Sequence, residues 1–253
     1  MEEPSRTLTV TRAALIGSLI ALAVAATCVR LGFWQLSRLE QRDARNRLLG
    51  QRMGQPVLRL GPNAVDTTRL FYRRVEVNGR YDHDRTIILA GRALRGAPGV
   101  HVLTPVLIQD GQTAVLVNRG WLPSADGATV ELDSLRTPSD ARLIGLLLPL
   151  PARRTNATMA ADSTFRRTWF SIDPDALRRQ FPYTLLEFHI QALPEKGVAQ
   201  FPVRLSPPEL DRGPHLGYAI QWFSFAVIAL VGWLTLMIRK GEVQQTQHPA
   251  RRV

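Results

Sequence analysis

Few side chains in this 253-residue chain are spaced for chemistry, and the histidines are the place to begin. There are five: His83, His101, His189, His215 and His248. No two stand at the spacing of a metal-binding pair. Asp82, His83 and Asp84 form a triplet able to hold a cation, although a solvated turn is the simpler reading. His215 differs by its place, within an uncharged run. Tyr218, Ala219 and Trp222 follow it at i+3, i+4 and i+7, on one helical face. An imidazole between Tyr218 and Trp222 on an apolar helix has the chemistry of an axial ligand to heme iron. The competing reading is an interfacial histidine hydrogen-bonded to protein or headgroup, beside an aromatic belt.

Other chemistries lack their residues. There is no phosphate-cradling P-loop, no Gly-x-Ser-x-Gly elbow and no His-Glu-x-x-His pair. The single cysteine, Cys28, excludes an internal disulfide framework and a multi-cysteine zinc site. It lies inside an apolar run, so a water-facing thiolate nucleophile is not expected. With no catalytic constellation, the chain is not expected to be an enzyme. Two further strings stand out: Gly-Phe-Trp-Gln-Leu-Ser-Arg-Leu at residues 32–39 and Val-Asn-Arg-Gly-Trp-Leu-Pro at residues 117–123. In the first, Trp34, Gln35 and Arg38 are candidates for docking at the end of an apolar helix. In the second, Gly120 suits a tight turn, and Arg119 and Trp121 could anchor it against the bilayer or the helices. A strand-exit turn plugged by the aromatic is the plainer reading, and the favoured one.

The elements that would position these residues are legible in the hydropathy. Residues 13–29 carry no charge, and the apolar character continues to Trp34. Residues 213–238 form a second uncharged run of 26, closed by Arg239-Lys240. A spanning helix needs roughly 20 residues. At about 1.5 Å per residue the second run exceeds a hydrocarbon core of ~30 Å, which places His215 near an interface. The chain therefore reads as an α+β membrane protein. It is expected to have a tail at 1–12, transmembrane helices at 13–34 and 213–238, a mostly β extramembrane domain with short helices at 35–212, and a second tail at 239–253. Two spans put both tails on one side. The first run also has features of a cleaved signal, but its length and Trp34 favour an uncleaved anchor.

Charge sharpens this picture. The net charge is +11, and all but Lys196 and Lys240 of the 32 basic residues are arginine. Lysine-rich nucleic-acid arms are absent. Residues 30–212 hold 26 basic and 18 acidic residues, which suits a solvated arginine surface or anionic headgroups beside the anchors. Within this domain residues 33–52 read as a helix leaving the membrane, with Gly50 and Gly54 as stops. Val75 and Val77 alternate with charges before an Asn78-Gly79 turn. Residues 86–89 read as a strand and 92–99 as a loop. A hairpin at 101–118 turns at Asp110-Gly111. Strands are expected at 143–148, 168–172 and 184–190, a loop at 151–163, and a short helix at 175–180 behind Asp173-Pro174. Seven or so strands suggest a barrel or an open sheet.

Four strings in order resemble the Surfeit locus protein 1 family. They are Gly-x-Trp-Gln-x-x-Arg at 32–38, Tyr-Arg-Arg-Val at 72–75, Val-Asn-Arg-Gly-Trp-x-Pro at 117–123 and His-Leu-x-Tyr-Ala-x-x-Trp-Phe at 215–223. Two positions depart from the family pattern: Gly213-Pro214 stand where members often have asparagine, and Gln221 where they often have threonine. The resemblance implies an assembly factor for heme-copper cytochrome c oxidase that assists heme a delivery to the catalytic subunit. It implies heme a as a transient cofactor, with His215 as the iron ligand and Tyr218 and Trp222 shaping its face. The implied partners are oxidase subunit one, other assembly factors and membrane lipid, with no nucleic acid. The implied location is a bacterial inner membrane, tails cytoplasmic and domain periplasmic. A cofactor-free scaffold for oxidase subunits, or a membrane-anchored periplasmic enzyme, are the alternatives.

Overall fold

The computed structural model describes residues 12–61, 68–108, 111–150, 165–195, 197 and 201–246. Helix α1 spans Arg12–Met53 and helix α3 spans His215–Thr246, with the short α2, Pro174–Arg179, between them in sequence. Eight strands fill the middle: β1 Leu58–Arg59, β2 Arg74–Tyr81, β3 Ile87–Leu94, β4 Ala97–Ile108, β5 Thr113–Pro123, β6 Asp140–Pro149, β7 Thr168–Trp169 and β8 Thr184–Ala192. The protein is thus α+β, with two helices long and apolar enough to cross a membrane flanking a mostly β domain. Contacts divide it into a helical unit, residues 1–47 and 211–253, and a β unit, residues 48–210. The apolar run and the helix expected beyond it are one continuous α1, which stops one residue before Gly54.

In the β unit, β2, β6, β8, β5 and β4 pair in that order, and β4 pairs back onto β2, so five strands close a ring. Every strand of the ring sends apolar side chains inward: Val75 and Val77, Leu143 and Leu147, Phe188 and Ile190, Val115 and Val117, Val106 and Ile108. Along β2 the alternation with Arg74 and Glu76 separates core from solvent. On the other face of β5 and β4, Leu116 and Leu103 pack with Trp169, Leu177 and Phe181, so α2 and its flanks cover a second core. Asp173 caps α2, its carboxylate accepting from the Asp175 and Ala176 amides, with Pro174 in the first turn.

Four expectations are corrected. Asn78-Gly79 is not a turn: β2 runs through it, and Gly79 faces Ile108 of β4 and Ala141 of β6. A Cβ on Gly79 would lie 2.1 Å from the Leu107 carbonyl oxygen, so the glycine serves the ring's closure. Residues 92–99 are not a loop. Arg95 and Gly96, both at positive φ, form a two-residue hairpin turn between β3 and β4. Gly120 does not end its strand: β5 continues to Pro123 past an irregularity beside Asn118. The expected strand at 168–172 is only two residues long. Asp110 and the loop at 151–163 lie outside the described residues, as do His248 and Lys196.

Candidate functional site

In the helical unit α1 and α3 run antiparallel, and small residues set their approach. A Cβ on Gly32 would meet the Phe223 ring at 2.6 Å, and one on Gly17 the Trp233 ring at 2.0 Å. Ala25, Cys28 and Ala226 form a buried seam with Trp222 against it. The Trp233 indole N–H donates to the Ser18 hydroxyl at 3.0 Å. Where α3 begins, polar contacts clamp the pair. Arg212 makes a forked bond to Asp43, at 3.0 and 2.7 Å, and holds that carboxyl below its ordinary range chiefly through the hydrogen bond. Asn46 and Arg42 donate to the Asp211 carbonyl. Gly213, at φ 70°, turns the chain, and Pro214 supplies the first helical carbonyl, to the Tyr218 amide.

This places His215 opposite Gln35, 180 residues away, with Nδ1 2.9 Å from the Gln35 amide oxygen. An amide oxygen only accepts, so in this contact Nδ1 is the donor. A half-buried imidazole oriented at one ring nitrogen by a second group could ligate a metal through the other. Among the described residues no three His, Cys, Asp or Glu side chains converge on one point.

The remaining candidates divide. Ala219 is buried against α1, Trp222 is half-buried and packs edge-on to Phe225, and Tyr218 is exposed. Trp34 is exposed, with the Arg38 guanidinium 5.5 Å from its ring centre. In the β unit Trp121 is buried, its indole filling the space a Gly99 side chain would need. Its backbone pairs with Val203 in both directions, at 2.9 and 2.8 Å. Gly120, at φ 136°, lies where a Cβ would sit 2.4 Å from the Val203 carbonyl oxygen. Arg119 is buried and points into a cavity. The Asp82-His83-Asp84 triplet is a structured turn: Asp82 pairs with Arg85 and accepts from the Tyr183 hydroxyl, His83 bonds the Thr137 carbonyl, and Asp84 pairs with Arg136.

The model of the SURF1 family matches residues 22–227, spanning both helices and the β unit. The chain belongs to the SURF1 family. A SURF1-like protein of Monosiga brevicollis is 28% identical over 232 residues, covering 87% of each chain. A SURF1-like protein of Rickettsia felis is 25% identical over 221 residues, 85% of this chain and 93% of that one. An uncharacterised SURF1-like protein of Mycobacterium bovis is 27% identical over 233 residues, 85% of this chain and 80% of the relative. In this SURF1 family member the matched segment includes Gln35 and His215. Reading the sequence alone singled out both residues but not their pairing. The signal was there in principle: a glutamine just past one apolar run and a histidine at the start of another face each other if the helices pack antiparallel.

Proposed function

We propose that this SURF1 family member is a non-enzymatic assembly factor for heme-copper cytochrome c oxidase that holds heme a for the catalytic subunit. Its place would be a bacterial inner membrane, with the tails cytoplasmic and the β unit periplasmic. One observation carries the reading: His215 is tied at Nδ1 to Gln35, which leaves Nε2 free at the polar end of an apolar helix pair. The residues fit the group. His215 would hold the iron, Gln35 would keep the ring's tautomer and plane, and Trp222 and Tyr218 would offer aromatic surface. When bound, heme a supplies the redox chemistry of the mature oxidase, and the protein supplies only retention and orientation. The arginine pair to Asp43 fixes the start of α3 and so the height of His215 opposite Gln35.

The test is an absorption spectrum of the full chain purified after co-expression with heme a synthesis. Wild type should show a heme a absorption spectrum. His215→Ala should lose it, and Gln35→Leu should retain heme with a shifted or weakened band. Equal heme in wild type and His215→Ala, or none in either, would defeat the ligand assignment. A second reading, a cofactor-free scaffold for oxidase subunits, is favoured by the exposure of Tyr218. Co-purification of subunit one with a heme-free chain would establish it.

A further inference from the structure

Arg119 is the one buried arginine among the described residues, only 9% exposed, and no carboxylate there lies within ion-pair distance of it. Its nearest partners are weak for a full charge: the Thr137 hydroxyl at 3.5 Å and the face of Tyr81, 5.3 Å away. Burial and the neighbouring Arg204 both weaken its hold on its proton, burial more. A guanidinium left in this position has lost much of its water and gained no counter-charge, a combination that folded proteins avoid unless something else supplies the anion.

The space for that anion is present. Arg119 lines a cavity of about 220 Å³ together with Tyr81, Thr137, Phe201, Pro202 and Arg204. It also borders a second cavity of about 340 Å³, which Asp84, Glu131 and Asp133 line together with Arg136 and Arg167, so the anion is assigned to the smaller one. The neighbouring arginines are already neutralised: Arg204 by Glu195, Arg142 by Glu76 and Arg136 by Asp84. The one acid lining the smaller cavity, Asp140, is exposed and makes no ion pair to Arg119. Among the arginines that line the smaller cavity, the Arg119 guanidinium is therefore the unspent charge. Its backbone is rigid, because the Asn118 side chain accepts from the Gly120 amide at 3.1 Å and Trp121 is paired to Val203. The volume is below that of an ordinary drug-sized ligand pocket, and suits one small group.

We propose that Arg119 anchors an oxyanion-binding pocket in the β unit that takes a single carboxylate or phosphate group. The planar fork of the guanidinium meets two oxygens, the Tyr81 and Thr137 hydroxyls are further donors, and Phe201 and Pro202 form an apolar wall. This site is independent of the heme reading.

The test is isothermal titration of the full chain, in phosphatidylcholine nanodiscs, with inorganic phosphate and with succinate at constant ionic strength. Wild type should bind one of these probes saturably at one site. Arg119→Gln should weaken it at least tenfold, Tyr81→Phe less, and Arg59→Gln, outside the cavity lining, less than twofold. Arg119→Lys keeps the charge but not the fork, and its intermediate affinity tests the geometry if the glutamine variant does not fold. In phosphatidylglycerol nanodiscs, loss of free phosphate binding identifies a lipid headgroup as the occupant. Unchanged binding there identifies a soluble anion. No saturable binding by wild type in phosphatidylcholine, or equal binding by Arg119→Gln, overturns the proposal.

Discussion

At the scale of single residues, the β unit holds two histidines in their neutral form. His189 is buried on β8 and His101 half-buried on β4. Burial is the main cause that brings each to about 4, and Arg92 pushes His101 in the same direction. Asn118 donates its amide to His101 Nδ1 at 3.3 Å, a bond that favours the same neutral ring. The unfolded chain takes up these protons near the ordinary histidine value of about 6.5. Because the folded values are lower, the stability they confer is complete above about 6.5 and is lost as the pH falls from there towards 4. The melting temperature of the β unit should therefore drop by several degrees between pH 7 and pH 4.5, followed by circular dichroism. His189→Gln should flatten that dependence. An unchanged slope in the variant would mean that His189 is protonated without cost in the fold. These two histidines matter to folding rather than to ligation, whereas His215 stands at a helix start with a free ring nitrogen, so one residue type has two uses set by surroundings.

At the scale of elements, two close backbone approaches hold the β unit together. At Gly79 the closure of β2 onto β4 leaves no room for a side chain. At Gly120 both the positive φ and the Val203 carbonyl exclude one. Gly120→Ala should cost about 2 kcal/mol or more in the denaturation midpoint, since strain at such a position is worth roughly 1–3 kcal/mol before the lost Trp121–Val203 pairing is counted. Gly79→Val should cost at least as much and expose the ring core to a hydrophobic dye. If both variants melt like wild type, the β2–β4 pairing is not what closes the core. In the helical unit the Gly32 and Gly17 notches play a similar part for Phe223 and Trp233. Beyond the notches, Asp43, Asn46 and Arg212 form a polar clasp. Ion pairs this exposed are individually worth little. Their effect is to choose the register in which Gln35 meets His215.

At the scale of the whole molecule, two apolar helices enclose a folded β unit in sequence, so the inner-membrane arrangement proposed above has a direct test. Phe170 is 71% exposed, and the native Cys28 is buried between α1 and α3. A Phe170→Cys variant in intact spheroplasts should react with a membrane-impermeant maleimide, while wild type should not. Labelling that requires lysis would place the β unit on the other side. The chain's basic charge fits this arrangement. Some of the surface arginines are spent on carboxylates, as where Arg59 and Arg142 both reach Glu76 and where Arg178 joins Asp175 and Glu187.

The residues alone determined the parts that depend on local pattern. Two uncharged runs, the alternation in β2, the β4–β5 hairpin and the proline-led α2 were all legible, because burial period and turn chemistry act over a few neighbours. The four motifs and their order sufficed for the family. Tertiary structure decided what pairs across distance. Asn78-Gly79 has the local preference of a turn, yet the neighbouring strand needs that glycine's missing side chain more than the chain needs to reverse there. Arg95-Gly96 turns without the usual asparagine, because the strands on either side impose it. His215 and Gln35 meet only because two helices far apart in sequence pack antiparallel at a register set by small residues and a clasp. Arg119 looked like an anchor at a turn, and it acquires an unpaired charge and a cavity only when β2, β5, β6, β8 and the segment at 201–204 close around it.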